Sequence, residues 1–171
     1  MSVTSVPLQK VAKVSSGDGA PQSEADFSSD GTPFVRAGSL PRLLAGATES
    51  ELEQIPRAVI EQRGMRVYSR GTVLFAKSGM SCTKGHVYVL KEPAVVVNHL
   101  AAIECGPDID VSFLSHWLRA NPPTRLIENP AYPSIKISAI RSMAVPLPDQ
   151  KEQKRIAAIL DAADALRTKR R

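Results

Sequence analysis

The stretch that most restricts how this chain can fold is PLPDQKEQKRIAAILDAADAL, at residues 146–166. Pro146 and Pro148 impose extended backbone, and a proline disfavours helix in the residue before it, so a helix can begin only after Pro148. Asp149 is the expected N-cap, with Glu152 three residues later in a capping-box arrangement. The sequence therefore predicts a folded body at residues 1–148 and one long helix at residues 149–171.

Apolar side chains recur along this helix at steps of three and four, in a heptad-like seam. The seam covers about two heptads, fewer than the roughly three or four that a self-sufficient coiled coil requires. We therefore expect the helix either to pack on its own domain or to pair with a surface outside it, and the seam alone leaves both open. The seam residues are Ile156, Ile159, Leu160, Ala163 and Leu166.

Composition indicates an ordinary soluble globular chain, because 43% of its 171 residues are apolar and 23% are charged. The N-terminus MSVTSVPLQKV lacks the apolar region of a signal peptide, and the apolar run at 94–103 is interrupted by Asn98 and His99. We expect no membrane association. Cys82 and Cys105 are interpreted as free thiols in a reducing compartment, which predicts a cytoplasmic protein.

The net charge of +5 is unevenly distributed along the chain. Residues 55–91 hold seven basic residues and one acidic residue, and residues 151–171 hold seven basic and three acidic residues. Clustered positive charge is typical of a surface that contacts phosphate groups. A merely solvated basic face is the alternative that charge alone leaves open.

Residue types predict an α+β fold, in which a strand-rich mixed sheet or partial barrel carries the long C-terminal helix. Residues 1–32 are rich in Ser, Gly and Asp, so we expect them to be partly mobile or loop-like around an ordered piece at 8–14. Strands are predicted at 33–36, 65–68, 71–79, 85–90, 94–104 and 143–147. Helices are predicted at 48–55, 110–121 and 124–129, and Ser138 is expected to cap a turn.

Signals of catalytic chemistry are weak. The spacing of Cys82, His86, His99 and Cys105 is not a standard zinc pairing. A Cys82 nucleophile with His86 or His116 lacks an orienting group or an oxyanion hole. The chain has no P-loop, no GxGxxG and no GxSxG motif. We therefore predict no metal site and no enzyme, and keep a small Cys- or metal-dependent enzyme only as a minor alternative.

Two loops carry a combination of residues suited to DNA. Loop A, at residues 76–86, and loop B, at residues 131–138, combine lysines with small hydrogen-bond donors, and loop A has glycines that permit close backbone approach. Such side chains can contact phosphate oxygens and base edges, although solvated polar turns have similar composition. The candidates are Lys77, Ser78, Ser81, Thr83 and Lys84 in loop A, and Tyr132, Ser134 and Lys136 in loop B.

Several segments of the chain, taken together in their order, resemble those of a known protein family. These segments are LQKVAKVSSGDG, DGTPFVRAGSL, RGTVLFAKSGMSCTKGHVYVL, VVNHLAAIECG, FLSHWLRANPP, NPAYPSIKISAIRSMAVPLP and EQKRIAAILDAADALRTKRR. From about Leu8 to its end, the chain resembles the target recognition domain of a type I restriction-modification specificity subunit. In this resemblance, residues 1–148 are the recognition domain and residues 149–171 are the start of the conserved spacer helix, which also serves dimerisation.

The resemblance implies a non-catalytic subunit that reads one half of a bipartite double-stranded DNA target. The modification subunits would use S-adenosylmethionine and the restriction subunits would use ATP and Mg, so this chain itself is expected to hold no cofactor. The seam would meet a counterpart helix and the modification subunits. The alternative is a helix-mediated interaction or regulatory protein of such a complex that does not read DNA itself.

The same resemblance assigns roles to individual residues. The candidates of loops A and B would form the DNA face, and Arg57, Arg63 and Arg66 would contact phosphates. One recognition domain and about six helical turns are present. We therefore expect either a fragment or truncated product of a two-domain subunit, or a half-subunit that dimerises through the helix. The short seam favours the fragment.

Overall fold

The computed structural model describes residues 4–169. Ten strands are present in this range: β1 Ser5–Pro7, β2 Ala12–Ser16, β3 Thr32–Val35, β4 Gln54–Ile55, β5 Val67–Tyr68, β6 Val73–Ala76, β7 Val87–Val89, β8 Ala94–Val96, β9 Leu100–Cys105 and β10 Ala144–Pro146. The α-helices are α1 Leu40–Leu44, α2 Arg57–Arg63, α3 Val111–Ala120, α4 Ile137–Arg141 and α5 Gln150–Lys169. None of the described helices is long and apolar enough to cross a membrane.

The strands form three sheets. An antiparallel sheet has the order β2-β9-β6-β7, a mixed sheet has the order β4-β3-β8-β5 with β3 parallel to β8, and β1 pairs with β10. Within residues 4–169 neither four-stranded sheet closes into a barrel. The predicted α+β fold with a mixed sheet and a long C-terminal helix is thus confirmed.

The antiparallel sheet is buried on both faces. Leu74 and Leu100 pack in one core cluster with the second sheet, whereas Phe75 and Ile103 pack in the other cluster with α3. Successive side chains of a strand point to opposite faces, so a strand covered on both sides reads as a continuous apolar run. This explains why β6 and β9 lack the alternation of a half-exposed strand.

The predicted single strand at 94–104 is wrong, because β8 and β9 belong to different sheets. The chain turns at residues 97–99, where the Leu100 amide donates to the Val97 carbonyl at 2.9 Å. The end of β2 crosses close by at Gly17. A Cβ atom on Gly17 would lie 2.1 Å from the Val96 carbonyl oxygen, so this approach requires glycine.

The predicted helix at 48–55 is also wrong. Residues Glu49–Glu51 form a 3-10 turn, closed by a capping box between Thr48 and Glu51, and β4 follows directly. Ile55 is a fully buried residue of β4, so pairing and burial within the mixed sheet override the local helical signal. A helix does form after Pro56, as α2, which the residue pattern did not indicate.

Two smaller predictions near the C-terminal part of the body also fail. Residues Pro123–Leu126 form a 3-10 turn instead of a helix over 124–129. Ser138 lies inside α4, whose N-cap is Lys136, and therefore does not cap it. By contrast, α3 begins as expected from Asp110, whose side chain accepts a hydrogen bond from the Phe113 amide.

The start of α5 follows the prediction made from its cap. Asp149 Oδ1 accepts a hydrogen bond from the Glu152 amide at 2.9 Å. The Glu152 carboxylate bonds the Arg155 side chain at 2.7 Å and 2.8 Å, so only the Asp149 half of the capping box is observed. The preceding extended segment is held by the pairing of β10 with β1. The helix therefore leaves the body at a defined point.

Candidate functional site

Loops A and B lie side by side, although they are far apart in the sequence. The Ile135 amide donates to the Lys77 carbonyl at 2.7 Å, and the Gly79 amide donates to the Pro133 carbonyl at 3.0 Å. An antiparallel bridge also pairs Ser78 with Ser134. Backbone hydrogen bonds therefore join the two predicted DNA-contacting loops into one surface.

The turn between β8 and β9 contributes a third segment to this surface. The Lys77 amide donates to the His99 carbonyl at 2.9 Å, and Ser78 Oγ lies 2.7 Å from His99 Nδ1. Asn98 and His99 are exposed. Sequence reasoning missed them because it assigned them to a strand, although two polar residues within an apolar run were a signal of the turn. We call loops A and B with Asn98 and His99 the loop surface.

The side chains of the loop surface differ in how freely they can meet a ligand. Met80 and Tyr132 are 68% and 81% exposed. Thr83 donates its hydroxyl to the Met80 carbonyl at 2.8 Å, so it supports the turn of loop A. Among the remaining candidates, Lys77, Ser78 and Ser81 are half-buried, and Lys84, Ser134 and Lys136 are exposed.

An open groove of about 440 Å³ runs between the two loops. It is lined by Gly79, Met80, Ala131, Tyr132, Pro133 and Ser134. Lys136 bonds the Glu128 carboxylate at 3.0 Å, in a solvent-exposed pair of the weak kind. The loop surface thus presents an aromatic ring, a thioether, hydroxyls and lysine ammonium groups together.

The three arginines predicted to contact phosphate lie elsewhere. Each is bound to a carboxylate: Arg57 to Glu61 at 2.7 Å, Arg63 to Asp26 at 2.5 Å, and Arg66 to Glu104 at 2.6 Å. Glu104 is near the end of β9, whereas His99 precedes its start. Four to five residues of strand span roughly 15 Å, so Arg66 is at the opposite end of the sheet from the loop surface.

The helix α5 docks on the body partly through polar side chains. Gln153 is fully buried; its Oε1 accepts from the Asp110 amide at 2.7 Å, and its Nε2 donates to the carbonyls of Asp108 and Pro148, each at 2.9 Å. Further along, Asp161 lies 2.7 Å from His116 Nε2. The sequence analysis did not identify Gln153 or Asp161 as contact residues.

The predicted apolar seam is largely left open. Ile159, Leu160 and Leu166 are 55%, 39% and 60% exposed, and Ala163 is also exposed. Ile156 is half-buried and packs against the core beside Ala157. With 3.6 residues per turn, the centre of the seam is roughly 120° around the helix from the docked face. The helix therefore packs on its own domain and still offers an apolar stripe to solvent.

Neither cysteine is poised for nucleophilic chemistry. Cys82 is buried, and burial raises the pKa of its thiol. Burial, followed by the nearby Asp110 carboxylate, raises the pKa of Cys105 to about 12. A reactive cysteine requires a lowered pKa. Within the part of the chain that the structure describes, no group of three or more His, Cys, Asp or Glu side chains could hold a metal ion.

Comparison of the sequence with known proteins gives a consistent result. Residues 2–171 match the family described as type I restriction modification DNA specificity domain. The chain is also 27% identical, over 146 residues, to the type I restriction enzyme MjaIX specificity subunit of Methanocaldococcus jannaschii. That match covers 84% of this chain and 33% of the relative, so the chain spans about a third of the relative's length.

Two solved structures share the fold. The HsdS subunit from Thermoanaerobacter tengcongensis superimposes with a TM-score of 0.70 at 20% identity, over 95% of this chain and 37% of that one. The S subunit of a type I restriction-modification system from M. genitalium gives a TM-score of 0.65 at 13% identity, over 96% and 40%. At these identities the likeness shows the arrangement of strands and helices.

Proposed function

The chain belongs to the type I restriction-modification DNA specificity family, and we propose that it reads one half of a bipartite double-stranded DNA target through the loop surface. Family membership assigns it a DNA-binding specificity role without catalysis. The observation that carries the proposal is the backbone bonding of loops A and B, because it places both sets of candidate DNA-contacting side chains on one surface.

The loop surface offers both kinds of contact that sequence-specific binding needs. Lys77 and Lys84 supply positive charge for phosphate oxygens, which position a protein on the duplex but carry no sequence information. Tyr132 and Ser134 are exposed and can approach base edges. Ser78 is hydrogen-bonded to His99, so these two side chains would approach a base edge together.

Other candidates are assigned supporting parts in the proposal. Thr83 shapes loop A, Ser81 adds a half-buried hydroxyl, and Lys136 contacts phosphate after leaving Glu128. Arg57, Arg63 and Arg66 would meet DNA only outside the loop surface, and each would exchange a carboxylate for a phosphate. We therefore expect each arginine to contribute less than Lys84, whose ammonium group is exposed.

The open seam of α5 is the proposed contact with other subunits. An exposed apolar stripe on an otherwise charged helix fits a second helix laid along it. We assign this contact to a counterpart helix and to modification subunits, and place S-adenosylmethionine, ATP and Mg on the modification and restriction subunits. Such a complex acts on DNA in the cytoplasm.

Selection of bound duplexes from a random DNA library tests the proposal. The experiment uses about 0.1 M salt, where non-specific phosphate binding is weakened, with the chain alone and with a compatible modification subunit. We expect one enriched half-site, recovered again from a repeat selection. A Lys77→Ala, Lys84→Ala variant should recover the same half-site with weaker binding.

Two other outcomes of the selection would change the function assigned to the chain or to the seam. If neither sample enriches any sequence while the modification subunit still binds, the chain is a helix-mediated interaction protein and the DNA-reading proposal is wrong. If the enriched sequence is a palindromic pair of half-sites at fixed spacing, the seam joins two copies of this chain. Loss of that spacing in an Ile159→Asp variant would locate the junction at the seam.

A further inference from the structure

Several hydrogen bonds and ion pairs join α5 to α3 and to the loop before it, beside the apolar packing of Ile156 and Ala157. In the first turn of α5, Gln153 is fully buried and its amide makes three hydrogen bonds. An amide can accept through its oxygen and donate twice through its nitrogen, so both donors of Gln153 are used. Its partners lie in three places: the loop at Asp108, the N-cap of α3 at Asp110, and the entry to α5 at Pro148.

Further polar bonds continue this contact along the helix. Ser112 donates to Asp161 at 3.0 Å, His116 Nε2 lies 2.7 Å from Asp161, and Arg119 lies 3.5 Å from Asp164. Gln153, Asp161 and Asp164 are spaced by eight and then three residues, which places them on one face of α5. Hydrogen bonds of this kind are directional, so rotation or sliding of α5 on α3 would break them.

Apolar packing alone would hold the helix less specifically. Ala157 is buried and Ile156 is half-buried against the core, whereas Ile159 and Leu166 further along the helix are exposed. An alanine fills little volume and tolerates changes of angle, whereas a buried amide left unpaired is costly. The geometry of Gln153 therefore restricts α5 to one direction relative to the sheet that carries the loop surface.

We propose that Gln153, supported by Asp161 and Asp164, is a positioning residue that fixes the direction in which α5 leaves the recognition domain. The consequence of this inference for DNA binding rests on the proposed function. In that function, the direction of α5 determines where a second recognition domain or a modification subunit lies relative to the loop surface. Gln153 thus acts on target spacing without touching DNA.

Pulsed EPR tests the direction of α5 independently of DNA. Nitroxide labels at Gln62→Cys in α2 and Ala165→Cys in α5, both exposed positions, report one distance in a background carrying Cys82→Ala and Cys105→Ala. We expect a single narrow distance distribution with Gln153 in place, and its loss in Gln153→Leu, which leaves the Asp108 and Pro148 carbonyls and the Asp110 amide unpaired. Lys154→Ala, an exposed neighbour on α5, is the matched control and should keep the narrow distribution.

A second pair of variants distinguishes a change in the direction of α5 from general unfolding of the protein. Asp161→Ala with Asp164→Ala changes two exposed carboxylates and no core residue, and should broaden the distance while the body remains folded. Asp161→Asn keeps an oxygen that can accept from His116 and should preserve the narrow distance. Equal distributions in Gln153→Leu, the double alanine variant and the unsubstituted protein would overturn the proposal.

DNA binding separates positioning from general stability. Gln153→Leu should bind an isolated half-site as the unsubstituted protein does, since the loop surface is untouched. A parallel loss of half-site affinity would show that Gln153 merely stabilises the body, and would refute a positioning role. If the unsubstituted protein selects no half-site, the proposed function fails, whereas the EPR distances still decide whether Gln153 fixes the direction of α5.

Discussion

The amide nitrogen of Ile135 lies 2.7 Å from the carbonyl oxygen of Lys77, and this backbone bond joins loop B to loop A. Because the contact is between backbone groups, side-chain substitutions in either loop leave it intact. Tyr132 and Lys84 can therefore be changed one at a time without separating the two halves of the loop surface. This property makes the loops suitable for mutational tests of DNA binding.

The lysines of loop A should determine how strongly binding depends on salt. Each phosphate contact contributes about 0.9 to the slope of log K against log salt concentration. Replacing Lys77 and Lys84 by alanine should therefore weaken binding to all sequences alike and reduce the slope by about 2. Fluorescence anisotropy with a labelled duplex over a salt series measures both effects.

A charge-matched control makes this test specific. Lys91→Ala with Lys151→Ala removes the same charge from exposed positions outside the loop surface, and should leave the slope nearly unchanged. An unaltered affinity and slope in the loop A variant would remove loop A from the DNA face.

Tyr132 should affect selectivity more than stability. Its side chain is 81% exposed, so Tyr132→Ala should change the free energy of unfolding by no more than about 0.5 kcal/mol. If the ring contacts a base, the substitution should weaken binding by about 1 to 3 kcal/mol and relax one position of the target. Selection from a random library reports the relaxed position, with Tyr132→Phe retaining the ring as the control. A half-site recovered unchanged from the alanine variant would place Tyr132 outside the reading set.

Ile159 should be required for association through the seam. Burial of a large apolar side chain contributes about 1.5 to 3 kcal/mol, and Ile159→Asp replaces that gain with the cost of burying a charge. We expect the variant to lose binding to a modification subunit in size-exclusion chromatography with light scattering. Ala158→Asp, the exposed preceding residue, should be tolerated better. For the chain alone we expect a monomer, so a dimer abolished by Ile159→Asp would instead assign the seam to a second copy.

Acid should weaken the contact between α5 and the body. The hydrogen bond from His116, with a further bond from Ser112, lowers the pKa of Asp161. A carboxyl group whose pKa is lower in the folded state contributes stability above its unfolded pKa, about 3.9, and loses that contribution as the pH falls through its folded pKa. The expected loss therefore begins near pH 4 and continues below it.

Hydrogen exchange of the α5 amides at several pH values measures this loss. Asp161→Asn does not titrate, so the difference in α5 protection between it and the unsubstituted protein should shrink as the pH falls below 4. A difference that is independent of pH would show that Asp161 does not stabilise the docked helix through its charge.

The two thiols should react slowly in the folded protein. The pKa of Cys105 is raised to about 12 and that of Cys82 is also raised, both through burial, so little thiolate exists at neutral pH. Titration with a thiol-specific chromogenic reagent at pH 8 should show slow reaction of both groups, followed by rapid reaction after unfolding in urea. Fast reaction of either native thiol near pH 7 would revive the alternative of a Cys-dependent enzyme.

Some features of the fold could be predicted because they depend on neighbouring residues. Pro148 and Asp149 locate the start of α5, and Asp110 with its following apolar spacing locates α3. The polar composition of loops A and B likewise comes directly from the sequence. In each case, the determining interaction spans at most a few residues of the chain.

The failures occurred where distant partners compete with local preference. Residues 94–104 are apolar enough for one strand, but pairing with β3 on one side and with β2 and β6 on the other divides them between two sheets. Likewise, Thr48 and Glu51 form a capping box, yet burial of Ile55 ends the helical signal after one turn. In both cases the secondary structure is decided by the strands and core residues that the segment contacts in the folded protein.

The sequence by itself determined the α+β class, the family, the long terminal helix and which loops carry DNA-binding residue types. Tertiary structure decided that loops A and B meet, that Asn98 and His99 join them, and that α5 docks through Gln153 while its apolar seam stays open. The physical reason is that capping and periodicity act within a few residues, whereas strand pairing and the satisfaction of a buried amide require groups that only folding brings together.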